Sequence, residues 1–438
     1  MGRDLTKRYV DEVLEVSGVK KKGIERIREI SQMPDLEVRR LLDDLDDRGT
    51  KHYSKNLRSI LEDLRGLKGQ PKAYHFGNYP PIQFDVATPD WFIRKSGLYY
   101  SKIVIEDPLE RIVKDEKWVW TASATKRDLM ARLELLSLLW PWIAEGIVEV
   151  IPPPTLIAGP SESIYEYGDE DFQDTEGWQA QTLKFEDMQL EGEALLRQVE
   201  TFARQSFSQD YMTKTGSLKE FALKIIAMGN SINMGKGFFG SLLTGASPTT
   251  NLRQAWRLFG YWVSGRAKDV IAQELGRDRW ESFVSGIKAG RAWLAFDAKE
   301  LGVLSKLPPE RIVEIRDSAD YSFQSFRDDL GHAVDEIQGL KLDNEADYRQ
   351  AASQVWSRVR WSAKDVKDDM DTIKKKIGLE AGVLPMSLIL GLLPFDMARV
   401  VAAAIGTPRA LDIAKEYLEL RKLKKSIGYF LVKLEEFA

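Results

Sequence analysis

The chain has 438 residues, of which 43% are hydrophobic and 30% charged, with a formal net charge of −4. That length exceeds the roughly 250–300 residues that one hydrophobic core serves, so at least two cores are expected, and the composition excludes a largely disordered chain. Cysteine is absent, which excludes disulfides, thiolate metal sites and cysteine nucleophiles.

The negative charge supplies no general attraction to a polyanion. With His52, His75 and His332 as the only histidines, a multi-histidine metal site is not expected. The first residues carry acids and lack a continuous apolar run, so a cytoplasmic, prokaryotic protein is expected.

In chain order, residues 1–72 read as a helical module with helices near 23–30, 36–47 and 56–64, the second ending before Gly49. The outline at 23–48 is that of a helix-turn-helix. Between Asp35 and Asp47, however, six acids face two bases, the wrong sign for displacing counterions from phosphates.

Residues 73–154 change period. Ile103-Val104-Ile105 is a β-branched run, read here as a buried strand over 98–107, and 147–151 is a second run stopped by three prolines. Between them, 125–140 carries Leu129, Leu133, Leu136 and Leu139 at helical spacing. Together they predict a β-α-β unit with parallel strands.

Residues 155–180, with Gly159-Pro160 and an acidic stretch, form a linker, and 181–438 a large helical domain. Its clearest predicted helices cover 191–207, 251–275, 309–340, 345–377 and 409–425. The fold class expected is mainly α: an N-terminal helical module, a small α/β module and a large C-terminal helical domain.

Asp107 closes the first strand at the carboxyl edge where open parallel sheets bind ligands, and Asp128 lies on the following helix. They are the candidate functional carboxylates. The bland alternative is an Asp-Pro turn that simply ends the strand.

Gly235-Lys236-Gly237-Phe238-Phe239-Gly240 matches G-x-G-x-x-G, and Gly235, Lys236 and Gly237 could cradle a phosphate. The preceding residues read as helix rather than strand, and no acid follows at the ribose-binding distance, so an interhelical loop is the simpler reading. No cofactor is expected.

Residues 379–406 are largely apolar. A single span would place Asp396 and Arg399 in the bilayer at roughly 2.5–3.5 kcal/mol each near its centre. The arms of a hairpin turning at Pro394 would be only about 20 Å long against ~30 Å of hydrocarbon. Two core helices, with Asp396 and Arg399 paired at i,i+3, fit better.

The functional expectation is a non-enzymatic interaction protein, an adaptor or regulated effector, whose partner is another protein. A place in a defence or conflict system is part of that expectation. Two alternatives stand beside it: a membrane-acting effector that inserts 379–406, and a nucleotide- or metal-dependent enzyme centred on Asp107 or the glycine turn. Nucleic acid is not expected as a partner.

Overall fold

A computed structural model describes residues 2–67, 72–75, 89–109, 122–152, 240–241, 243–250, 277–295, 307–337, 344–380, 419 and 422–436. The chain divides into two compact units, one of residues 1–294 with 339–344 and one of 295–338 with 345–438. Both are mostly helical, and the first also holds a small parallel sheet.

The first unit opens with α1 (Gly2–Val16), α2 (Val19–Lys22), α3 (Ile24–Gln32) and α4 (Asp35–Gly66). The two helices expected over 36–47 and 56–64 are one. Gly49, read from the sequence as a stop, is buried in mid-helix, within a stripe of Val38, Leu41, Leu42, Leu45, Tyr53, Ile60, Leu61 and Leu64. A mid-helix glycine costs about 1 kcal/mol, less than burial of two or three of those side chains returns.

The strands are β1 (Lys72–His75), β2 (Lys102–Glu106), β3 (Val148–Ile151) and β4 (Ser247–Thr249), all parallel, in the order β3-β2-β1-β4. Between them run α5 (Pro89–Tyr99), α6 (Ala122–Ala144) and, after β4, α7 (Arg277–Leu294). The expected β-α-β unit is β2-α6-β3, and its leucine stripe is buried as the spacing implied.

Two details differ. The first strand begins at Lys102 rather than 98, because Leu98 and Tyr99 complete α5; a short apolar run does not distinguish helix from strand. The sheet also takes β4 from the stretch read as wholly helical. That strand has three residues and contains Pro248, which suits an edge position and defeats propensity reasoning.

Paired residues of parallel strands share a face, so the register sorts the sheet's side chains. One face carries Lys72, Tyr74, Lys102, Glu106 and Glu149, and the other Ala73, His75, Ile103, Ile105, Val148 and Val150. α1 and α4 reach the polar face through Thr6 and the Leu64 carbonyl. On the other face Ser247 meets α7 at Gly286. α5 and α7 lock together where Tyr99 stacks on Trp293 and the Trp293 indole donates to the Lys95 carbonyl at 2.9 Å.

The second unit contains α8 (Pro309–Ser318), α9 (Asp320–Asp335), α10 (Glu345–Glu380) and α11 (Tyr429–Glu436). Phe323, Phe326 and Phe430 form its aromatic centre, with Phe323 and Phe430 at 4.6 Å and Trp356 beside them. The single helix expected over 309–340 is divided at Ala319. Just past that break, the Ser322 hydroxyl donates to the Ile427 carbonyl and accepts from the Phe430 amide, seating α11 against α9.

α10 matches the expected 345–377 helix and continues to Glu380. The helices expected over 191–207 and 251–275 lie outside the described residues, as does most of that over 409–425. So does the apolar segment beyond Glu380. Among the described residues, no helix is long and apolar enough to cross a membrane.

Candidate functional site

β2 carries Asp107 to the carboxyl edge of the sheet. There its amide donates to the Ile151 carbonyl of β3 at 2.6 Å. It is 2% exposed and its carboxyl accepts three hydrogen bonds among the described residues. The Leu109 amide donates to Oδ1 at 2.9 Å, closing the Asp-Pro turn. The Tyr9 hydroxyl of α1 and the Tyr53 hydroxyl of α4 both donate to Oδ2, at 2.5 and 2.9 Å.

His52 completes this cluster. It stacks on Tyr9 with ring centres 4.5 Å apart and meets Tyr53 edge-on at 4.9 Å. Burial pushes its imidazole down to about 4, so it is neutral at ordinary pH. Burial also holds the Asp107 carboxyl above the usual carboxylate range, against the pull of Tyr9, Leu109, Tyr53 and the Arg132 charge.

Asp128 lies one helical turn before Arg132 on α6. The Arg132 Nε donates to Asp128 Oδ2 at 3.0 Å, and Nη1 donates to the Pro108 carbonyl. Arg132 therefore links Asp128 to the backbone of the residue that follows Asp107. Asp128 Oδ1 is buried and has no hydrogen-bond partner among the described residues.

A second polar cluster sits on the sheet face. Lys102 and Glu149 form an ion pair at 3.0 Å with side chains 7% and 5% exposed, and the Thr6 hydroxyl donates to the same carboxylate. Beside it the Tyr74 hydroxyl donates to Glu106 at 3.2 Å. Lys72, its ammonium pushed down by burial, donates to the Leu64 carbonyl at 2.6 Å. On the opposite face, at the carboxyl end of β1, burial pushes His75 down to about 3.

Gly235, Lys236 and Gly237 lie outside the described residues, as do Asp396 and Arg399. Gly240 is described. It lies in a short helical stretch before β4, where an added Cβ would clash with the Tyr74 ring, so glycine lets the backbone pass close over that ring. Gly240 precedes the amino end of β4, whereas a pyrophosphate loop follows the carboxyl end of a first strand. Among the described residues, no group of three histidines and acids could hold a metal.

Chemically, the edge cluster joins elements: the hydroxyls of Tyr9 and Tyr53 and the Leu109 amide are all directed at Asp107. No family model, curated protein or solved structure matches this chain.

Sequence reasoning missed Tyr9, Tyr53, Thr6, Lys102, Glu149 and Arg132. One signal was present: Lys102 and Glu106 flank Ile103-Val104-Ile105, and Glu149 interrupts Val148 and Val150. Charges inside buried β-branched runs announce a polar interior face.

Proposed function

We propose that this protein is a non-enzymatic interaction protein of the cytoplasm, an adaptor or regulated effector that docks another protein on the helical surface of its second unit. The observation that carries the reading is Trp361. Its side chain is 73% exposed on α10, while Trp356, five residues earlier on the same helix, is 2% exposed in the core.

Leaving a large aromatic in water forgoes roughly 1.5–3 kcal/mol of burial. Tryptophan and arginine are the residues that most often anchor protein interfaces. Arg358 lies one turn before Trp361 and Lys364 one turn after, all on the exposed side of α10.

The test is capture of partners from cells of the source organism, with wild-type and Trp361→Ala protein. Loss of an anchor worth ~2 kcal/mol weakens capture about thirtyfold without altering the melting temperature. Unchanged capture by the variant refutes the assignment.

A second reading has one observation in its favour. With the order β3-β2-β1-β4, the direction of strand addition reverses between β1 and β4, and open parallel sheets bind small ligands at that point of the carboxyl edge. A thermal-shift screen with nucleotides and divalent metals tests it, since ligand at about 100 times its Kd stabilises by roughly 2.7 kcal/mol. Flat melting curves reject it.

A further inference from the structure

α10 has two unlike sides. Its buried stripe of Val355, Val359, Val366 and Met370 recurs every three or four residues, and α9 and α11 pack on this helix. Trp361 lies on the opposite side, 73% exposed, in company with exposed Gln354, Ser357 and Asp368. Single exposed apolar side chains are ordinary on protein surfaces, so the tryptophan alone carries little. The charges around it carry more.

Arg358 stands three residues before Trp361 and Asp365 four after. Seven residues are close to two helical turns, so both charges lie on one edge of the outer side, with the indole between them. The Arg358 side chain is 56% exposed, and its Nη1 meets Asp329 of α9 at 3.1 Å. A guanidinium has five N–H donors, so that contact leaves others for a second carboxylate. Asp365 is exposed and makes no ion pair among the described residues.

We infer that a second copy of this chain docks on this side, its α10 lying end for end against the first across a two-fold axis at Trp361. Reversing the helix about Trp361 brings each Arg358 within about 1.5 Å, along the axis, of the level of the partner's Asp365, and on the same edge. Opposite charges therefore meet twice, as a two-fold interface requires. A parallel copy would set like charges level with one another, so charge selects the antiparallel one. The two indoles meet at the axis. Long side chains on a helix lean toward its amino end, and Ser357, one turn before, is short, so the indoles lie side by side. The inference rests on the reading of Trp361 as a protein anchor and adds its regulation: the second copy covers the anchor until a tighter partner displaces it.

Sedimentation velocity of the full chain from about 1 to 300 µM is the test, because one helix seam is smaller than a standard interface and should dissociate on the order of 10–100 µM. Added salt should weaken the dimer. Trp361→Ala removes the anchor from both copies and should raise the dissociation constant at least ~100-fold, with the melting temperature unchanged. Asp365→Arg and Arg358→Glu each set like charges together twice and should raise it about tenfold. The double variant should recover to within about threefold of wild type, whereas an effect acting only through Asp329 would persist in it.

A chain that stays monomeric throughout, a dimer indifferent to Trp361→Ala, or a double variant no stronger than the singles overturns the inference. The underlying reading fails separately. A monomeric chain whose capture of another protein is lost in Trp361→Ala refutes the second copy alone, and a dimer broken by Trp361→Ala with capture unchanged refutes only the docking of another protein.

Discussion

Removing Lys102 should damage the first unit far more than removing Lys102 and Glu149 together. The pair is nearly dry, with 7% and 5% side-chain exposure at 3.0 Å. Lys102→Met leaves the Glu149 carboxylate buried, with the Thr6 hydroxyl as its remaining donor there. Breaking a buried pair in this way costs about 3–5 kcal/mol, whereas replacing both members by apolar residues of similar volume is commonly near neutral. Glu149→Leu alone should cost a similar amount by stranding the ammonium. The double variant should lie within about 1–2 kcal/mol of wild type, the residue being the Thr6 hydroxyl left without its acceptor. The double-mutant cycle therefore predicts a coupling of at least ~3 kcal/mol, measurable from urea midpoints with constant m-values. Single variants costing less than about 1 kcal/mol, or a double variant equal to the sum of the singles, would refute the claim that this face is a paired polar interior.

Further outcomes follow from particular contacts. A Cβ on Gly428 would lie 2.1 Å from the Ala363 backbone nitrogen, and no side-chain rotation relieves a clash with backbone. Gly428→Ala should therefore cost the second unit about 1–3 kcal/mol or more, lowering its calorimetric transition while leaving that of the first unit in place. Phe430→Ala removes the ring that meets Phe323 and Phe326 and should cost about 3–5 kcal/mol in the same assay. His75 is neutral when folded, so stability should decline as pH drops below about 6.5, by up to ~1.4 kcal/mol per pH unit. His75→Gln should flatten that decline in the difference between variant and wild type.

The parts of the fold legible in the sequence were those written in local periodicity. The β-branched run at Ile103-Val104-Ile105 and the leucines from Leu129 to Leu139 specify β2, α6 and β3 almost completely, including the parallel pairing that a crossover of this length requires. Gly49 misled because a glycine stop and a glycine buried in a close-packed helix look alike until the partner helix is known. β4 was invisible for a related reason: three residues with a proline become a strand only because the edge of β1 is waiting for them.

At the edge, Asp107 could be singled out from strand position alone, but its hydroxyl donors lie 98 and 54 residues away. Tyr9 and Tyr53 sit on helices whose own periodicity explains them fully. Nothing local distinguishes them from ordinary core tyrosines.

The most direct measurement is a pH titration of the Asp107 side-chain carboxyl carbon by NMR, assigned by its loss in Asp107→Asn. A midpoint above the ordinary carboxylate value is predicted, moving higher still in Tyr53→Phe and Tyr9→Phe. A midpoint at or below the ordinary value, or one indifferent to both tyrosines, would contradict the account.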